Sequence, residues 1–128
     1  MKREPDIVRE VLLKVEEAES GQSVSMADFE NETRHQLVAY HVHLLHESGY
    51  IEAAMIPDYM GGQNHWAAFS INRMTMDGHD LLDAIRSEGV WSRTKEAIVS
   101  AGGVFTMESL KAVATGIAAK LLKEAAGL

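Results

Sequence analysis

A helix that leads straight into a β-hairpin is the strongest pattern in this chain. In Thr33–Ser48, TRHQLVAYHVHLLHES, apolar residues recur at helical spacing, and Gly49 follows where helices commonly end. The next segment, YIEAAMIPDY, has the composition of a strand, MGGQN that of a turn, and HWAAFSINRMT that of a returning strand. A winged helix-turn-helix ends in this order, so the pattern predicts a winged-helix-like core whose wing is the hairpin.

The segments before this unit predict one helix and one short strand. Asp6–Glu19 is amphipathic, Pro5 suits the first turn of a helix, and Ser20–Gly21 ends it. The stretch SVSMADF predicts a brief strand that leads into a turn at residues 30–32. Thr33 and Gln36 then have the spacing of a capping box. No clear amphipathic helix precedes Thr33, so the support helix of a normal helix-turn-helix is expected to be short, distorted or absent.

Three further helices are predicted after the hairpin. They are a helix capped by Thr75 or Asp77, a helix at Val90–Ser100 after a break at Glu88–Gly89, and a last helix capped by Thr106. The predicted fold is therefore α+β. We expect a single domain of residues 1–128, with the winged-helix-like core at 1–74 and a helical extension at 75–128.

Composition limits the functions that this fold can perform. The 128 residues include 46% hydrophobic residues, enough for a core, and no cysteine, which suits a reducing cytoplasm. The charged N-terminus does not resemble a secretory signal, and no apolar run is long enough to span a membrane. The formal net charge is −7. Because duplex DNA is bound largely through Lys and Arg, a DNA-binding role requires a local basic patch.

Histidines are concentrated in the central helix. On a helical projection His41 falls within the apolar stripe, which predicts a histidine within the core or at its edge, with one ring nitrogen bonded to backbone or to a side chain. His35, His43 and His46 fall on the other side. Two imidazoles three residues apart are too few for zinc, and HLLHE is not the HExxH pattern of a catalytic zinc helix. The sequence therefore predicts no metal site.

The outer face of this helix is the candidate DNA-reading surface. We expect four side chains to face bases and two arginines to face phosphates, namely His35, Gln36, Tyr40 and His43, with Arg34 and Arg73. The fixed charges between Thr33 and Gly49 sum to zero, and those of the hairpin sum to −1. The predicted docking surface thus has no basic footprint at neutral pH, which argues against tight DNA binding.

The hairpin and the last helix offer protein contacts instead. Tyr59, Met60 and Trp66 lie at or just past the hairpin turn, and such residues suit a protein interface better than phosphate. The small residues of the last helix favour either tight packing within the monomer or a homodimer contact, and the sequence leaves both open. No nucleophile–base set and no phosphate-binding loop is present, so we expect neither an enzyme nor a bound cofactor.

Several separated pieces of the chain resemble a known family. They are MKREPDIVREVLLKVEE, AYHVHLLHESGYIE, MTMDGHDLLDAIRSEGVWSRTKE and GGVFTMESLKAVATGIAAKLLKE. They are similar to domain of unknown function 2513, an uncharacterised family from bacteria and their phages. The resemblance implies a winged-helix-like domain in a cytoplasmic protein of bacterial or phage origin, and it supplies no catalytic residues.

Three hypotheses of different class follow from the sequence. The first is a DNA-associated regulator that reads duplex DNA through the central helix. The second is a protein-interaction module that kept the winged-helix shape without its basic charge, for example an accessory factor of a phage or mobile element. The third is an enzyme or metal protein, which would require a bound metal detectable by elemental analysis.

Overall fold

The computed structural model describes residues 1–127, so Leu128, the last residue of the predicted helical extension, lies outside the described residues. The helices are α1 Pro5–Glu17, α2 His35–Glu47, α3 Met76–Ile85, α4 Glu88–Ser100 and α5 Met107–Ala125, and the strands are β1 Val24–Ser25, β2 Ile51–Pro57 and β3 Trp66–Met74. Short 3₁₀ turns occupy Met26–Asp28, Glu32–Arg34 and Tyr59–Gly61. The predicted α+β class is confirmed.

The described residues group into two compact units, Met1–His79 and the residues from Asp80 onward. The boundary lies inside α3 rather than between residues 74 and 75. The first turn of α3 belongs to the first unit because Thr75, which caps it, bonds to the carbonyl groups of Gly49 and Tyr50. Whether the whole chain behaves as a single domain stays a prediction.

The sheet of the first unit is antiparallel, with strand order β1-β3-β2. β2 and β3 form the predicted hairpin, and their register shifts between Ile56 and Pro57 and again between Glu52 and Ala53. β1 pairs only through Val24 and Ser25, opposite residues 71 and 70 of β3. It is shorter than SVSMADF suggested because the Asp28 carboxylate accepts a hydrogen bond from the Ser25 amide at 2.8 Å, which turns the chain into a 3₁₀ turn.

The start of α2 differs from the predicted capping box. Asn31 adopts a left-handed backbone conformation (φ 66°), and its side-chain oxygen accepts hydrogen bonds from the Thr33 hydroxyl at 2.6 Å and the Thr33 amide at 3.3 Å. A 3₁₀ turn at Glu32–Arg34 therefore precedes the α-helix. The predicted pairing of Thr33 with Gln36 is wrong, because the Gln36 side chain is bonded elsewhere.

His41 joins α1 to α2 inside the core of the first unit, as predicted. Its side chain is buried, its Nε2 accepts a hydrogen bond from the Glu4 amide at 2.7 Å, and its Nδ1 donates to the Leu37 carbonyl at 2.8 Å. The amide of Glu4 can only donate, so the proton of the neutral ring is assigned to Nδ1. Apolar residues of α1 and α2 fill the core around it, including Val8, Leu12, Val38, Val42 and Leu45.

We expect His41 to weaken the fold as the pH falls. Burial lowers the pKa of His41 below its ordinary value of 6.5. Below about pH 6.5 the unfolded chain therefore binds a proton that the folded chain resists, and stability decreases as pH falls, by at most about 1.4 kcal/mol per pH unit. Urea unfolding at pH 7.5, 6.5 and 5.5 should show this loss in the wild type and a smaller slope in His41→Leu. Equal slopes in both proteins would contradict the assignment.

The N-terminus of α3 is fixed against the end of α2 and the start of β2. The Thr75 hydroxyl accepts from the Gly78 amide at 3.1 Å and donates to the Gly49 carbonyl at 2.6 Å. The Thr75 amide donates to the Tyr50 carbonyl at 3.0 Å. Thr75 is thus the helix cap, as one of the two sequence alternatives stated. Gly78 lies where an added Cβ would overlap the Tyr50 carbonyl oxygen, so this close approach requires glycine.

The second unit consists of the end of α3 followed by α4 and α5. The expected break at Glu88–Gly89 is wrong, because both residues belong to the first turn of α4. The Ser87 side chain caps this helix by accepting a hydrogen bond from the Val90 amide at 3.4 Å. Thr106 caps α5 as predicted, in a reciprocal capping box with Ser109. The buried side chains of this unit include Leu82, Ile85, Trp91, Ile98 and Leu110. Within residues 1–127, no helix combines the length and the apolar content that crossing a membrane requires.

The distal part of α5 bears on the dimer hypothesis. Leu110 and Ala114 are buried, Ile117 and Leu121 are only partly buried, and Leu122 is exposed. The first half of the helix thus packs within the monomer, which is one of the two alternatives. The second half of α5 keeps apolar side chains at least partly exposed, so a homodimer contact through this helix stays a prediction.

Candidate binding surface

The side chains predicted to read DNA bases are largely engaged within the first unit. Gln36 is the clearest case: its amide group donates to the Trp66 carbonyl and accepts from the Trp66 amide, both at 2.9 Å. A side-chain amide has the same donor and acceptor as a backbone peptide, so Gln36 takes the place of a neighbouring strand residue at the edge of β3. It holds the returning strand of the hairpin on α2.

Tyr40 and His43 flank the same tryptophan. The ring centroids of Tyr40 and Trp66 are 6.3 Å apart at 34°, and those of His43 and Trp66 are 5.3 Å apart at 36°. Aromatic rings at these separations attract one another beyond the effect of burial alone. His43 Nε2 also lies 3.2 Å from the Glu47 carboxylate, one turn along the helix. Gln36, Tyr40 and His43 therefore form one cluster with Trp66.

His35 and His46 bond to backbone at either side of this cluster. His35 Nε2 lies 2.8 Å from the Phe29 carbonyl oxygen, and His46 Nδ1 accepts from the Ala53 amide at 3.2 Å. The amide of Ala53 belongs to β2, which is an edge strand. Side chains that occupy free backbone groups protect an edge strand from pairing with other chains.

The two arginines assigned to phosphates are both paired with carboxylates. Arg34 donates to Glu10 of α1 at 2.8 Å, a hydrogen bond that raises the pKa of Arg34. Arg73 donates to both carboxylate oxygens of Glu52, at 2.9 and 2.7 Å, which lowers the pKa of Glu52. Both pairs are partly or largely solvent-exposed, so each contributes little stability, but each compensates the positive charge.

The charge of the chain is divided unequally between the units. Residues 1–79 contain six Lys and Arg against thirteen Asp and Glu, and residues 80–128 contain six of each. The whole formal charge of −7 therefore belongs to the unit that carries α2 and the hairpin. A phosphate backbone would meet long-range repulsion at this unit.

The hairpin tip, residues 58–65, presents apolar side chains to solvent. Tyr59 is 88% exposed and Met60 is 97% exposed, as a contact role requires. Ile56, on the strand that leads to the tip, is 56% exposed and was missed, although its outward position in β2 follows from strand alternation. Trp66 is only 7% exposed and is not available to a partner, so its assignment as a contact residue needs correction.

The backbone of the hairpin tip is ordered by Asp58. Its Oδ1 accepts from the Met60 amide at 3.1 Å, its carbonyl accepts from the Gly61 amide at 3.0 Å, and its amide donates to the His65 carbonyl at 2.9 Å. The His65 ring lies directly over Gly61, where any side chain would collide with it. Gly62 follows with φ 84°, a conformation that favours glycine.

His43 and His46 lie three residues apart on α2. His43 and His46 are engaged separately, by Glu47 and by the Ala53 amide. Across residues 1–127 no three His, Cys, Asp or Glu side chains lie grouped as ligands for one ion.

Comparison with known proteins gives a family without an assigned activity. The family model described as hypothetical protein (DUF2513) matches residues 2–104. An uncharacterized protein of Haemophilus influenzae is 34% identical over 126 residues, which cover 95% of this chain and 99% of that protein. No solved structure matches. The chain belongs to the DUF2513 family.

Proposed function

We propose that residues 1–74 form a winged-helix-like core that binds another protein through the tip of its wing. The winged-helix assignment is supported by the order of α1, β1, α2 and the β2–β3 hairpin, and by the central position of β3 in the sheet. The support helix is reduced to the 3₁₀ turns Met26–Asp28 and Glu32–Arg34. The lack of cysteine suits a cytoplasmic location for this module.

The observation that carries the binding role is the exposure of Tyr59 and Met60 at the hairpin tip. Tyrosine and methionine are enriched in protein interfaces, and tyrosine buries a large area there at low entropic cost. The tip carries no Lys or Arg with which to contact phosphate. Gln36 of α2 is bonded to Trp66, the residue that directly follows the tip, so the strand beside the exposed residues is anchored.

We expect a photocrosslinking residue at position 60 to capture a specific partner. The same crosslinking residue in place of Val104, an apolar side chain of the second unit that is 78% exposed, is the control. Added wild-type protein without the crosslinking residue should compete for the partner and suppress the crosslinked product formed at position 60. The double variant Tyr59→Ser/Met60→Ser should compete at least about 30-fold less well, because loss of an interface hot spot costs about 2 kcal/mol or more. Equal competition by the two proteins, or the same adduct at Val104, would refute the role.

The second candidate is a DNA-associated regulator, favoured by the helix-then-hairpin order alone. In this role Arg34 would have to break its ion pair with Glu10, and Arg73 its ion pair with Glu52, before either arginine could bind a DNA phosphate. We expect no binding of a labelled random duplex in fluorescence anisotropy, even at low salt and neutral pH. Salt-dependent binding whose slope falls by about 1 in Arg34→Ala or Arg73→Ala would instead support the regulator.

A further inference from the structure

Carboxylates lie near the exposed hairpin tip. Asp58 is the first residue of the tip itself. Glu30 and Glu32 come just before α2, and both are exposed. Gln36, one helical turn after Glu32, bonds to Trp66, the residue that directly follows the tip. The start of α2 therefore brings further negative charge to the side of the tip.

The basic residues of the same region do not offset these carboxylates. Residues 30–74 include two, Arg34 and Arg73. Arg34 is bonded to Glu10 of α1 at 2.8 Å, and Arg73 is bonded to both carboxylate oxygens of Glu52, at 2.9 and 2.7 Å. The second pair also lies at the base of the hairpin, the end opposite the tip. The surroundings of the tip are therefore acidic.

The field of the whole first unit has the same sign. Residues 1–79 contain six Lys and Arg against thirteen Asp and Glu. Such a charge attracts a basic surface, speeds its encounter and disfavours acidic partners. The ring of Tyr59, which is 88% exposed, also attracts a Lys ammonium or an Arg guanidinium over its face. Charge and exposed aromatic surface thus favour the same chemistry in a partner.

From these observations we propose that the hairpin tip docks on a protein surface that is basic around an apolar contact. Tyr59 and Met60 fill the apolar contact. Lys and Arg side chains of the partner pair with Glu30, Glu32 and Asp58. This inference names the chemistry of the partner and rests on the proposed function. A nucleic acid would present phosphates, which the same carboxylates repel.

The test uses the full chain with the photocrosslinking residue at position 60, in a native cell extract. The yield of the crosslinked product is measured as salt is raised from about 50 to about 200 mM. We expect the yield to fall at least about 3-fold, because charges at an exposed rim are screened beyond about 10 Å at about 0.1 M salt. This series needs no further substitution.

Two matched charge variants locate the effect. Glu30→Gln/Glu32→Gln removes two charges beside the tip, and Glu108→Gln/Glu124→Gln removes two exposed charges from the second unit. Glu32 and Glu108 both stand in the first turn of a helical segment, so the helix-end effects are similar. Added without the crosslinker at low salt, the first variant should compete about 3-fold less well than wild type, a typical combined effect of two exposed ion pairs. The second should compete like wild type, and circular dichroism verifies that both are folded.

The outcomes separate the basic partner from the docking role. Specific capture whose yield does not change with salt would overturn the basic partner and leave docking through Tyr59 and Met60 standing. Salt-sensitive capture with equal competition by the two variants would also overturn it, since the attracting charge would then lie away from the tip. Absence of specific capture at position 60 would remove the proposed function, and this inference with it.

Discussion

Gly78→Ala should destabilise the protein by about 2–3 kcal/mol, the upper range for forcing one extra carbon into a packed site. A Cβ at this position would overlap the Tyr50 carbonyl oxygen and crowd the Met74 side chain. Met74 can change rotamer, but the Tyr50 carbonyl accepts the Thr75 amide and cannot move without breaking that bond. The cost therefore falls on the base of the hairpin, where α2, β2 and α3 meet.

Gly116→Ala is the matched control for this substitution. Gly116 lies inside α5 with nothing within 4 Å of an added Cβ. Alanine is a better helix former than glycine, so this variant should gain up to about 1 kcal/mol. Urea unfolding followed by circular dichroism should thus give opposite signs for the same chemical change. A Gly78→Ala effect within about 0.5 kcal/mol of wild type would contradict the close approach to Tyr50.

Local patterns in the sequence were sufficient to predict most of the elements. The amphipathic period found α1 and α2, turn composition found the hairpin, the cap at Thr106 was correct, and Thr75 was one of the two caps proposed for α3. These features depend on residues a few positions apart, which a sequence displays directly. His41 was assigned to the core for the same reason, since its place in the apolar stripe follows from helical spacing alone.

The roles of the polar residues could not be predicted in the same way. Gln36 bonds to Trp66, thirty positions along the chain, and Arg34 bonds to Glu10, twenty-four positions back. The position of a glutamine or arginine in the helical period shows only that it lies on the outer face. This position is the same whether the side chain contacts solvent, DNA or a strand of the same protein. Only the path of the hairpin over α2 decides between these partners.

The burial of Trp66 has a different cause. Strict alternation would place Trp66 and Phe69 on opposite faces of β3, because they are three residues apart. Both are buried, since the register of the hairpin shifts between Ile56 and Pro57 and resets the alternation. Such a shift has no single-residue signature in this sequence. Because of this register shift Trp66 is buried. Of the three predicted contact residues, Tyr59 and Met60 remain exposed.

Gln36→Glu is expected to destabilise the protein by about 2–3 kcal/mol at neutral pH, because a carboxylate can accept from the Trp66 amide but cannot donate to the Trp66 carbonyl. The carbonyl then loses its donor and faces a negative charge at a partly buried site, and each unsatisfied group costs about 1–3 kcal/mol. Gln36→Ala, which removes both bonds without adding charge, is the matched control.

The dependence on pH distinguishes a structural Gln36 from a DNA reader. In Gln36→Glu, protonation of the new carboxyl group restores a donor, so the folded state should raise the pKa of this group. The folded chain then binds more protons than the unfolded chain, and the deficit relative to wild type should narrow as pH falls from about 7 towards about 5. Gln36→Ala should show a constant deficit. If Gln36 instead projected towards DNA, both variants would keep wild-type stability in urea unfolding at every pH, and only their binding to duplex would change.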